Sequence, residues 1–517
     1  MTARKSEDHA DGESAVVAAT EKKTWWKDPQ LRRLNFCLLS LTLLSSSNGF
    51  DGSLVNGLQS LDSWLDFMQT PDGTWLGFIN GIYSVGCLVS LLLGGWGCNK
   101  FGRKPCIFIG IVFLTVGGIL GAVAPNDSVF IVSRVIIGLG SGWVSTAGPL
   151  LLSEIAYPDF RSVTSALFMV GYYIGAVISS WVTFASRDYT SSWSWRLPTL
   201  LQILLPIVAV PGLFITPESP RWLIDRDRIE DARKVLADLH AGGDQTTPLI
   251  SSEVHEIQGA IVAEKEANSS ASYLDMIKTP GNRHRLLITV TLGFTSQWCG
   301  NGVVSYYLAM VLDTVGITET RDQLLISGCL QIWNLGFAAV GASLIERAGR
   351  RPLFLTSAGI MLTSYIIITG LSGAFAETGA AATGTTVIPF IFIYFAGYDI
   401  AMTPLLTAYP CEIWPFALRS RGLSVAWLSA IFALIFNTFV NPIALAAIAW
   451  KYYFVFVAVL VVYSFIAFFF YPETKGYSLE HVAFVFDGEQ AAVGGGLGEK
   501  AAIKAEKEAE DTQVEHV

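Results

Sequence analysis

The chain has 517 residues, of which 52% are hydrophobic and 15% charged, and its formal net charge is −9. The charged residues lie mainly in tails and loops between apolar runs of about 20 residues, the length at which a helix spans a bilayer. This composition excludes an ordinary soluble enzyme. The seven cysteines lie in or beside the apolar runs without a CxxC spacing, which excludes a secreted disulfide framework and a cysteine-based metal site.

Twelve apolar runs predict an all-α membrane protein with twelve transmembrane helices. In the first half of the chain the predicted spans cover residues 34–58, 75–98, 105–125, 129–151, 163–186 and 195–216. In the second half they cover residues 285–312, 322–345, 352–374, 385–410, 422–446 and 450–471.

Two turns between the spans carry nearly the same charged motif. The first is Gly95-Trp-Gly-Cys-Asn-Lys-Phe-Gly-Arg-Lys104 and the second is Ala342-Ser-Leu-Ile-Glu-Arg-Ala-Gly-Arg-Arg351. Aligning Gly102 with Gly349 separates the copies by 247 residues, about half of the chain. A second pair of charged residues recurs at a seven-residue spacing: Glu154 with Arg161, and Glu412 with Arg419. The repeat predicts two pseudo-symmetric six-helix bundles, as in transporters whose halves move around a central site.

The apolar runs divide the chain into five segments. They are an N-terminal tail (1–33), a six-helix bundle (34–216), a linker with short amphipathic helices (217–284), a second six-helix bundle (285–471) and a C-terminal tail (472–517). Fourteen Lys and Arg residues lie on the short segments of one face, whereas four lie in the loops of the other face. Because positive residues concentrate on the cytoplasmic face, we expect both tails and the linker to be cytoplasmic.

Two charged residues interrupt the apolar runs at similar depth. Asp51 lies about seven residues before the end of the first span, and Arg134 about six residues after the start of the fourth. A carboxylate inside a membrane is costly unless it is paired, and it marks a functional site by default. A movement that separates the two charges would drive proton uptake. We therefore predict proton coupling by this pair, with a permanent ion pair between two helices as the alternative.

Four polar residues lie near the middle of the seventh, eighth and tenth spans: Gln297, Asn301, Asn334 and Asp399. Amides and carboxylates offer the hydrogen-bonding groups that sugar hydroxyls need, and nearby aromatic rings offer flat walls for a sugar ring. We predict that these four residues bind a substrate together with Tyr306 and Tyr307. Hydrogen bonding between helices is the alternative.

Charged residues at the repeated turns form two charge clamps, one in each half. The first clamp contains Arg103, Lys104, Glu154 and Arg161; the second contains Glu346, Arg350, Arg351, Glu412 and Arg419. Such charges can bridge helix ends in one conformation and part in the other, so we predict that the clamps form an inner gate. Anchoring by positive residues at the cytoplasmic face is a compatible alternative.

From about Leu34 to Glu480 the chain resembles a sugar porter of the major facilitator superfamily. The motifs that carry the resemblance are Phe130-xxx-Arg134-xxx-Gly138-x-Gly140-x-Gly142, Glu154-Ile-Ala through Arg161, Trp195-Arg-Leu-Pro198, Pro217-Glu-Ser-Pro-Arg-Trp-Leu223 and Pro472-Glu-Thr-Lys-Gly476. In that family the Asp of the first helix and the Arg of the fourth form the proton-coupling pair of symporters. The resemblance implies that role for Asp51 and Arg134.

Within the family the chain resembles the fungal lactose-permease and cellodextrin-transporter branch. The matching segments are Ser296-Gln-Trp-Cys-Gly-Asn-Gly-Val-Val-Ser-Tyr-Tyr307 and Tyr398-Asp-Ile-Ala-Met-Thr-Pro-Leu405. The sugar-stacking Trp of helix 10 in hexose carriers corresponds to Thr407, and the Gln residues of helices 5 and 11 correspond to Met169 and Ala430. The resemblance implies a larger cavity that suits a disaccharide. Asn99 replaces the usual Asp of the first clamp, so we expect a weaker inner gate in the N-terminal half.

The sequence therefore predicts a multi-pass plasma-membrane transporter that takes up a sugar with protons by alternating access, with lactose or cellobiose as the expected type of substrate. We expect a monomer in the lipid bilayer that needs no cofactor or metal and binds no nucleic acid. No catalytic constellation indicates an enzyme. The alternatives are a hexose or polyol carrier or facilitator, an exporter of a sugar-like metabolite, and a sugar sensor that does not transport.

Overall fold

The computed structural model of the protein describes residues 31–270, 272–476, 482 and 485–487, and the regular secondary structure in these ranges is helical. Most of the two predicted tails, residues 1–33 and 472–517, lies outside the described ranges. Within the described ranges, twelve long helices are arranged in two halves of six.

The N half contains α1 (Arg32–Leu58), α2 (Gly73–Phe101), α3 (Arg103–Ala122), α4 (Asp127–Ile155), α5 (Arg161–Ser186) and α6, which has two parts (Trp193–Leu201 and Leu204–Ile215). The C half contains α7, also in two parts (Pro280–Trp298 and Asn301–Asp313), α8 (Thr320–Ala348), α9 (Arg350–Thr378), α10 (Val387–Ile413), α11 (Phe416–Ile448) and α12 (Tyr453–Phe470).

Nine helical stretches within the described ranges are long and apolar enough to cross a membrane, and the last of them, Ala417–Phe470, contains both α11 and α12. The two helices that fall outside this set are α1 and α7. Polar residues such as Asp51 interrupt α1, and α7 is broken at Gly300. Both irregular helices carry predicted site residues, as expected where polar groups in a membrane face the interior of a bundle.

Glycines let the helices of the N half approach each other closely. A Cβ atom on Gly138 of α4 would lie 2.2 Å from the carbonyl oxygen of Tyr83 in α2, and one on Gly175 of α5 would lie 1.7 Å from the carbonyl oxygen of Ser46 in α1. Any side chain at these positions would force the backbones apart. The small residues in the α4 glycine motif therefore serve packing, as is common between membrane helices.

The linker and the starts of α1 and α7 lie at one end of the bundle, here called the linker end; the opposite end is the far end. Arg33 at the start of α1 pairs with Asp238 of the linker at 3.7 Å. At the far end α2 packs on α11, where a Cβ atom on Gly77 would lie 2.9 Å from the carbonyl oxygen of Phe439. There α5 also packs on α8, with Trp181 against Gly328.

The linker contains helices Pro220–Asp225, Ile229–His240, Pro248–Ser270 and Asp275–Lys278. All four lie within the predicted linker, residues 217–284. The buried ring of His240 connects the linker to the N half, because its Nδ1 lies 2.9 Å from a carboxylate oxygen of Glu253 and its Nε2 lies 3.0 Å from the carbonyl oxygen of Ile155 at the end of α4.

The C-terminal residues that are described fold back onto the start of α7. The buried guanidinium of Arg285 donates to the two carboxylate oxygens of Asp487 at 3.0 and 2.7 Å, and to the carbonyl oxygen of Ile413 at the end of α10 at 2.8 Å. The ring of Phe486 covers the guanidinium at 4.6 Å. A buried charge of this kind needs its partner, because desolvation is not offset without it.

We predict that Asp487→Ala lowers the free energy of unfolding by about 2 kcal/mol, because Arg285 keeps the Ile413 carbonyl and the Asn282 side-chain oxygen as acceptors but loses its counter-charge. Thermal unfolding in detergent measures this effect. Lys265→Ala is the control, since it removes an exposed ion pair with Asp225 at the same end of the molecule and should change stability little. Equal melting temperatures for Asp487→Ala and the unmodified protein would contradict the prediction.

Candidate functional site

The two charged residues of the N-half interior are buried in α1 and α4. Asp51 is 1% exposed and Arg134 is 4% exposed, each about seven residues from the far end of its helix. They lie within electrostatic range of each other, but no ion pair of 4.0 Å or less joins them. Neither oxygen of Asp51 makes a hydrogen bond of 3.5 Å or less among the described residues, and the hydroxyl of Ser141 on α4 lies near the carboxylate. The guanidinium of Arg134 lies over the ring of Tyr83 at 4.8 Å. The structure therefore brings the predicted pair together without an ion pair.

The predicted seventh span, residues 285–312, corresponds to α7, which is broken within the span. Gly300 adopts a left-handed backbone conformation (φ 103°), which separates the two parts of α7, and a second irregularity follows at Tyr307 (φ −138°, ψ 34°). A Cβ atom on Gly300 would lie 2.2 Å from the Tyr365 hydroxyl oxygen, so the break requires glycine.

Side chains from the neighbouring helices bind the backbone carbonyl oxygens around the break in α7. Tyr398 donates to the carbonyl of Ser296 at 2.9 Å, Asn437 to that of Gln297 at 2.8 Å, Tyr394 to that of Cys299 at 3.2 Å and Tyr365 to that of Gly300 at 2.8 Å. These donors come from α9, α10 and α11. They hold Gln297 and Asn301 at the break, in the interior of the C half.

Near the far end of α7, side chains of α1 from the other half form hydrogen bonds with the backbone at the second irregularity. The side-chain oxygen of Asn56 accepts from the backbone N–H of Leu308 at 2.9 Å, and the side-chain amide of Gln59 donates to the carbonyl of Tyr306 at 2.9 Å. Sequence analysis missed both residues, because an amide near a helix end gives no signal of its partner. These bonds join the two halves at the far end.

Two of the predicted substrate ligands carry a buried acceptor without a donor among the described residues. These acceptors are the side-chain oxygens of Gln297 and Asn334. The side-chain oxygen of Asn301 accepts from the Ser305 hydroxyl at 2.7 Å. The hydroxyl of Tyr307 donates to the carbonyl of Thr438 at 2.5 Å, which engages it in helix packing, whereas Tyr306 is half-buried.

Asp399 lies near the middle of α10 and contacts the other half of the protein. Its Oδ1 accepts from the hydroxyl of Tyr173 in α5 at 2.6 Å and from that of Thr403 at 3.1 Å. Its Oδ2 is buried and has no donor among the described residues. Sequence analysis did not identify Tyr173, because a tyrosine in an apolar span is usually a packing residue.

The first charge clamp ties together three helix ends of the N half. Arg103 donates through Nε and Nη2 to the carboxylate of Glu154 at 2.9 and 2.8 Å. The backbone N–H groups of Arg103 and Lys104 donate to Glu218, after α6, at 3.0 and 3.1 Å. Gly102 makes room for this carboxylate, because a Cβ atom there would lie 2.5 Å from Glu218 Oε2.

The second charge clamp repeats this geometry in the C half. Arg350 donates to Glu412 at 3.0 and 2.6 Å, and the backbone N–H groups of Arg350 and Arg351 donate to Glu473 at 2.9 and 3.0 Å. Sequence analysis gave no role to Glu218 or Glu473. The signal was present, since each glutamate follows a proline directly after the last helix of its half.

The other predicted gate residues contribute differently. The side chain of Glu346 lies outside the described part of the structure. Arg161 is exposed at the start of α5, and Arg419 lies on α11 within electrostatic range of Cys411. The bonds made by Arg103 and by Arg350 stay within one half each, so these contacts stiffen a half rather than cross between the two.

The chain also matches a known protein family. Residues 37–486 match the family described as sugar (and other) transporter. The chain belongs to that family. This membership confirms the predicted fold of two six-helix halves, the multi-pass membrane location and transport rather than enzymatic catalysis.

Individual relatives and solved structures of the sugar (and other) transporter family agree with this assignment. The MFS-type transporter criB of Aspergillus cristatus is 28% identical over 442 residues, which cover 86% of this chain and 91% of the relative. The high-affinity glucose transporter of Kluyveromyces lactis is 26% identical over 456 residues, covering 84% and 81%. The inward-open structure of the xylose transporter XylE from E. coli gives a TM-score of 0.71 at 23% identity, covering 87% of this chain and 99% of that one. That structural similarity shows the shared fold.

The two clamp glutamates of this transporter differ in electrostatics. Burial raises the pKa of Glu218 above its ordinary value, although the backbone N–H groups of Ser219, Arg103 and Lys104 act against it. Burial acts in the same direction on Glu473, but backbone N–H donors, first of all that of Arg350, outweigh it and hold its pKa below the ordinary value. Ionisation is therefore unfavourable for folding at the first clamp and favourable at the second.

We predict opposite pH trends for Glu218→Gln and Glu473→Gln in thermal unfolding. A raised pKa means that the contribution of Glu218 is present below its ordinary pKa, about 4.3, and is lost as the pH rises through the folded value. Between about pH 4 and neutral pH, the melting temperature of Glu218→Gln should therefore rise relative to that of the unmodified protein. A lowered pKa means that the contribution of Glu473 to stability is present above about pH 4.3 and is lost as the pH falls. The melting temperature of Glu473→Gln should therefore fall relative to that of the unmodified protein as the pH rises toward neutral. Trends of the same sign would contradict this assignment.

Proposed function

We propose that this transporter takes up a sugar together with protons across the plasma membrane, with both chain ends in the cytoplasm. The observation that carries the proposal is the buried carboxylate of Asp51, which lies within electrostatic range of Arg134 but forms no direct ion pair with it. A permanent structural ion pair would be expected to make direct, charge-assisted contacts. A loosely held carboxylate suits a group that gains and loses a proton during a cycle.

Sugar as the substrate is supported by the acceptors of the C half. The buried side-chain oxygens of Gln297 and Asn334 need donors, and hydroxyl groups supply them. Leaving such acceptors without partners costs free energy, so a hydroxyl-bearing ligand would gain affinity by satisfying them.

A disaccharide is the proposed type of substrate, with lactose or cellobiose as examples. Thr407 stands where hexose carriers of the resembled family have a tryptophan, and Met169 and Ala430 stand where they have glutamines. Loss of a tryptophan side chain leaves room for a second sugar ring. The second candidate is hexose transport, which is favoured by relatives such as the high-affinity glucose transporter of Kluyveromyces lactis.

Alternating access is the proposed mechanism. Contacts at the far end, such as those of Asn56 and Gln59 with α7, join the two halves there. With the chain ends in the cytoplasm, this conformation is closed toward the outside. The charge clamps hold the helix ends of each half together at the linker end, which lets each half move as a unit while the far-end contacts break.

We predict that Gln297→Ala and Asn334→Ala each weaken substrate affinity about tenfold, because each removes an acceptor for a substrate hydroxyl. Uptake of radiolabelled monosaccharides and disaccharides by proteoliposomes first identifies the preferred sugar, and the apparent KM of each variant is then compared for that sugar. Gln323→Ala is the matched control, because this glutamine bonds Asp313 at the far end of α8 and should leave KM unchanged. Unchanged affinity in both site variants would rule out this binding mode.

We predict that Asp51→Asn abolishes accumulation driven by a pH gradient but preserves sugar exchange, because exchange needs no net proton movement. Both are measured in the same proteoliposomes, with and without a protonophore. Asp313→Asn, which alters an exposed carboxylate at the end of α7, should retain accumulation. If Asp51→Asn still concentrates sugar against its gradient, proton coupling resides elsewhere; if a protonophore leaves uptake by the unmodified protein unchanged, the transporter is a facilitator.

A further inference from the structure

The hydrogen bond between Tyr173 and Asp399 connects the two halves in the middle of the membrane. Tyr173 lies twelve residues into α5 and Asp399 twelve residues into α10, so both are close to mid-helix. Asp399 is 0% exposed and Tyr173 is 9% exposed. The bond is 2.6 Å long, and Thr403 contacts both partners at 3.1 Å. A carboxylate with two hydroxyl donors on one oxygen has a fixed orientation.

The second oxygen of Asp399 belongs to the same region as the other acceptors without donors. Tyr398, directly before Asp399, bonds the carbonyl of Ser296, directly before Gln297. On α8, a Cβ atom on Gly341 would lie 2.7 Å from the carbonyl oxygen of Asp399, and Asn334 lies on the same helix face two turns, about 10 Å, closer to the far end. Gln297, Asn334 and Asp399 therefore lie on three neighbouring helices of the C half, with Asn334 closer to the far end than Asp399.

All three orphan atoms in this region are acceptors. Asp399 Oδ2, the Gln297 oxygen and the Asn334 oxygen are buried and lack donors among the described residues. A ligand that satisfies them must donate several hydrogen bonds, which is the property of a molecule with several hydroxyl groups.

We propose that the Tyr173–Asp399 bond is a tie between the halves that is made in the far-end-closed conformation, and that it aims Asp399 Oδ2 at a hydroxyl of the substrate. Tyr173 is thus a positioning residue contributed by the N half to a ligand contact of the C half. The same carboxylate then responds both to the substrate and to the position of the opposite half. The ligand part of this inference rests on the proposed sugar transport; the tie between the halves does not.

The first test measures affinity for the preferred sugar and for its monodeoxy analogues. Tyr173→Phe removes only the hydroxyl and should weaken affinity about tenfold, whereas Asp399→Asn combined with Tyr173→Phe should lose no more than Asp399→Asn alone. For one deoxy analogue, the unmodified protein should bind the analogue more weakly than the parent sugar. The Asp399→Ala variant should bind that analogue and the parent sugar equally well. Tyr463→Phe is the matched control, because the buried hydroxyl of Tyr463 contacts Met402 within the C half and no described residue of the N half.

The second test needs no substrate and follows the distance between spin labels at the far end. The labels are placed on Asp188→Cys and Arg321→Cys, both exposed positions, with the exposed Cys329 replaced by serine. Tyr173→Phe should raise the ratio of the long-distance to the short-distance population severalfold, and Tyr463→Phe should not. If Tyr173→Phe and Tyr463→Phe give the same distances, or if the effect of Tyr173→Phe on affinity multiplies with that of Asp399→Asn, the proposal is overturned. Failure of every sugar to be transported would instead refute the proposed function and leave the distance test decisive for the tie.

Discussion

Backbone groups that leave a helix inside a membrane must find partners within the protein, and this constraint shapes the site around α7. The break at Gly300 frees carbonyl oxygens that water cannot reach. Donors from α9, α10 and α11, including Tyr365 and Asn437, bind them. Those donors keep Gln297 and Asn301 in place, because they fix the backbone on both sides of the break. The position of the candidate ligands is therefore a consequence of how the broken helix is stabilised.

The same constraint also connects the halves. At the irregular backbone of Tyr307, Gln59 and Asn56 of α1 bind the carbonyl of Tyr306 and the N–H of Leu308. Because these partners belong to the opposite half, the bonds are lost when the far end opens. The exposed backbone groups then need water, which an opened far end admits. The irregular helix therefore stabilises the conformation with a closed far end through bonds that water can replace when that end opens.

Duplication explains why the clamps coincide in geometry but not in electrostatics. In each half an arginine, Arg103 or Arg350, donates to a glutamate at the end of the fourth helix. A second glutamate, Glu218 or Glu473, accepts from backbone N–H groups at the start of the third helix. The difference between the last two arises from burial, which favours the neutral form of Glu218 more strongly. Repeated sequence motifs fix which groups meet, whereas the surrounding packing fixes how strongly each is charged.

The parts of this structure that depend on local patterns could be predicted from the sequence. Hydropathy placed most helix ends within a few residues, and the repeated Gly-Arg turns located Arg103 and Arg350 at the starts of α3 and α9. The break at Gly300 could not be located in this way, since a glycine in an apolar run is more often a packing residue than a hinge.

The bond from Tyr173 to Asp399 shows most clearly what the sequence alone cannot predict, because its partners lie 226 residues apart and in different halves. Neither residue type reveals its partner, and no repeat relates them. Only the closure of the two halves brings them together, so the contact belongs to one conformation of the protein rather than to its local sequence. Contacts of that kind are the ones through which a transporter couples its substrate to movement, and they are therefore the least visible in a linear sequence.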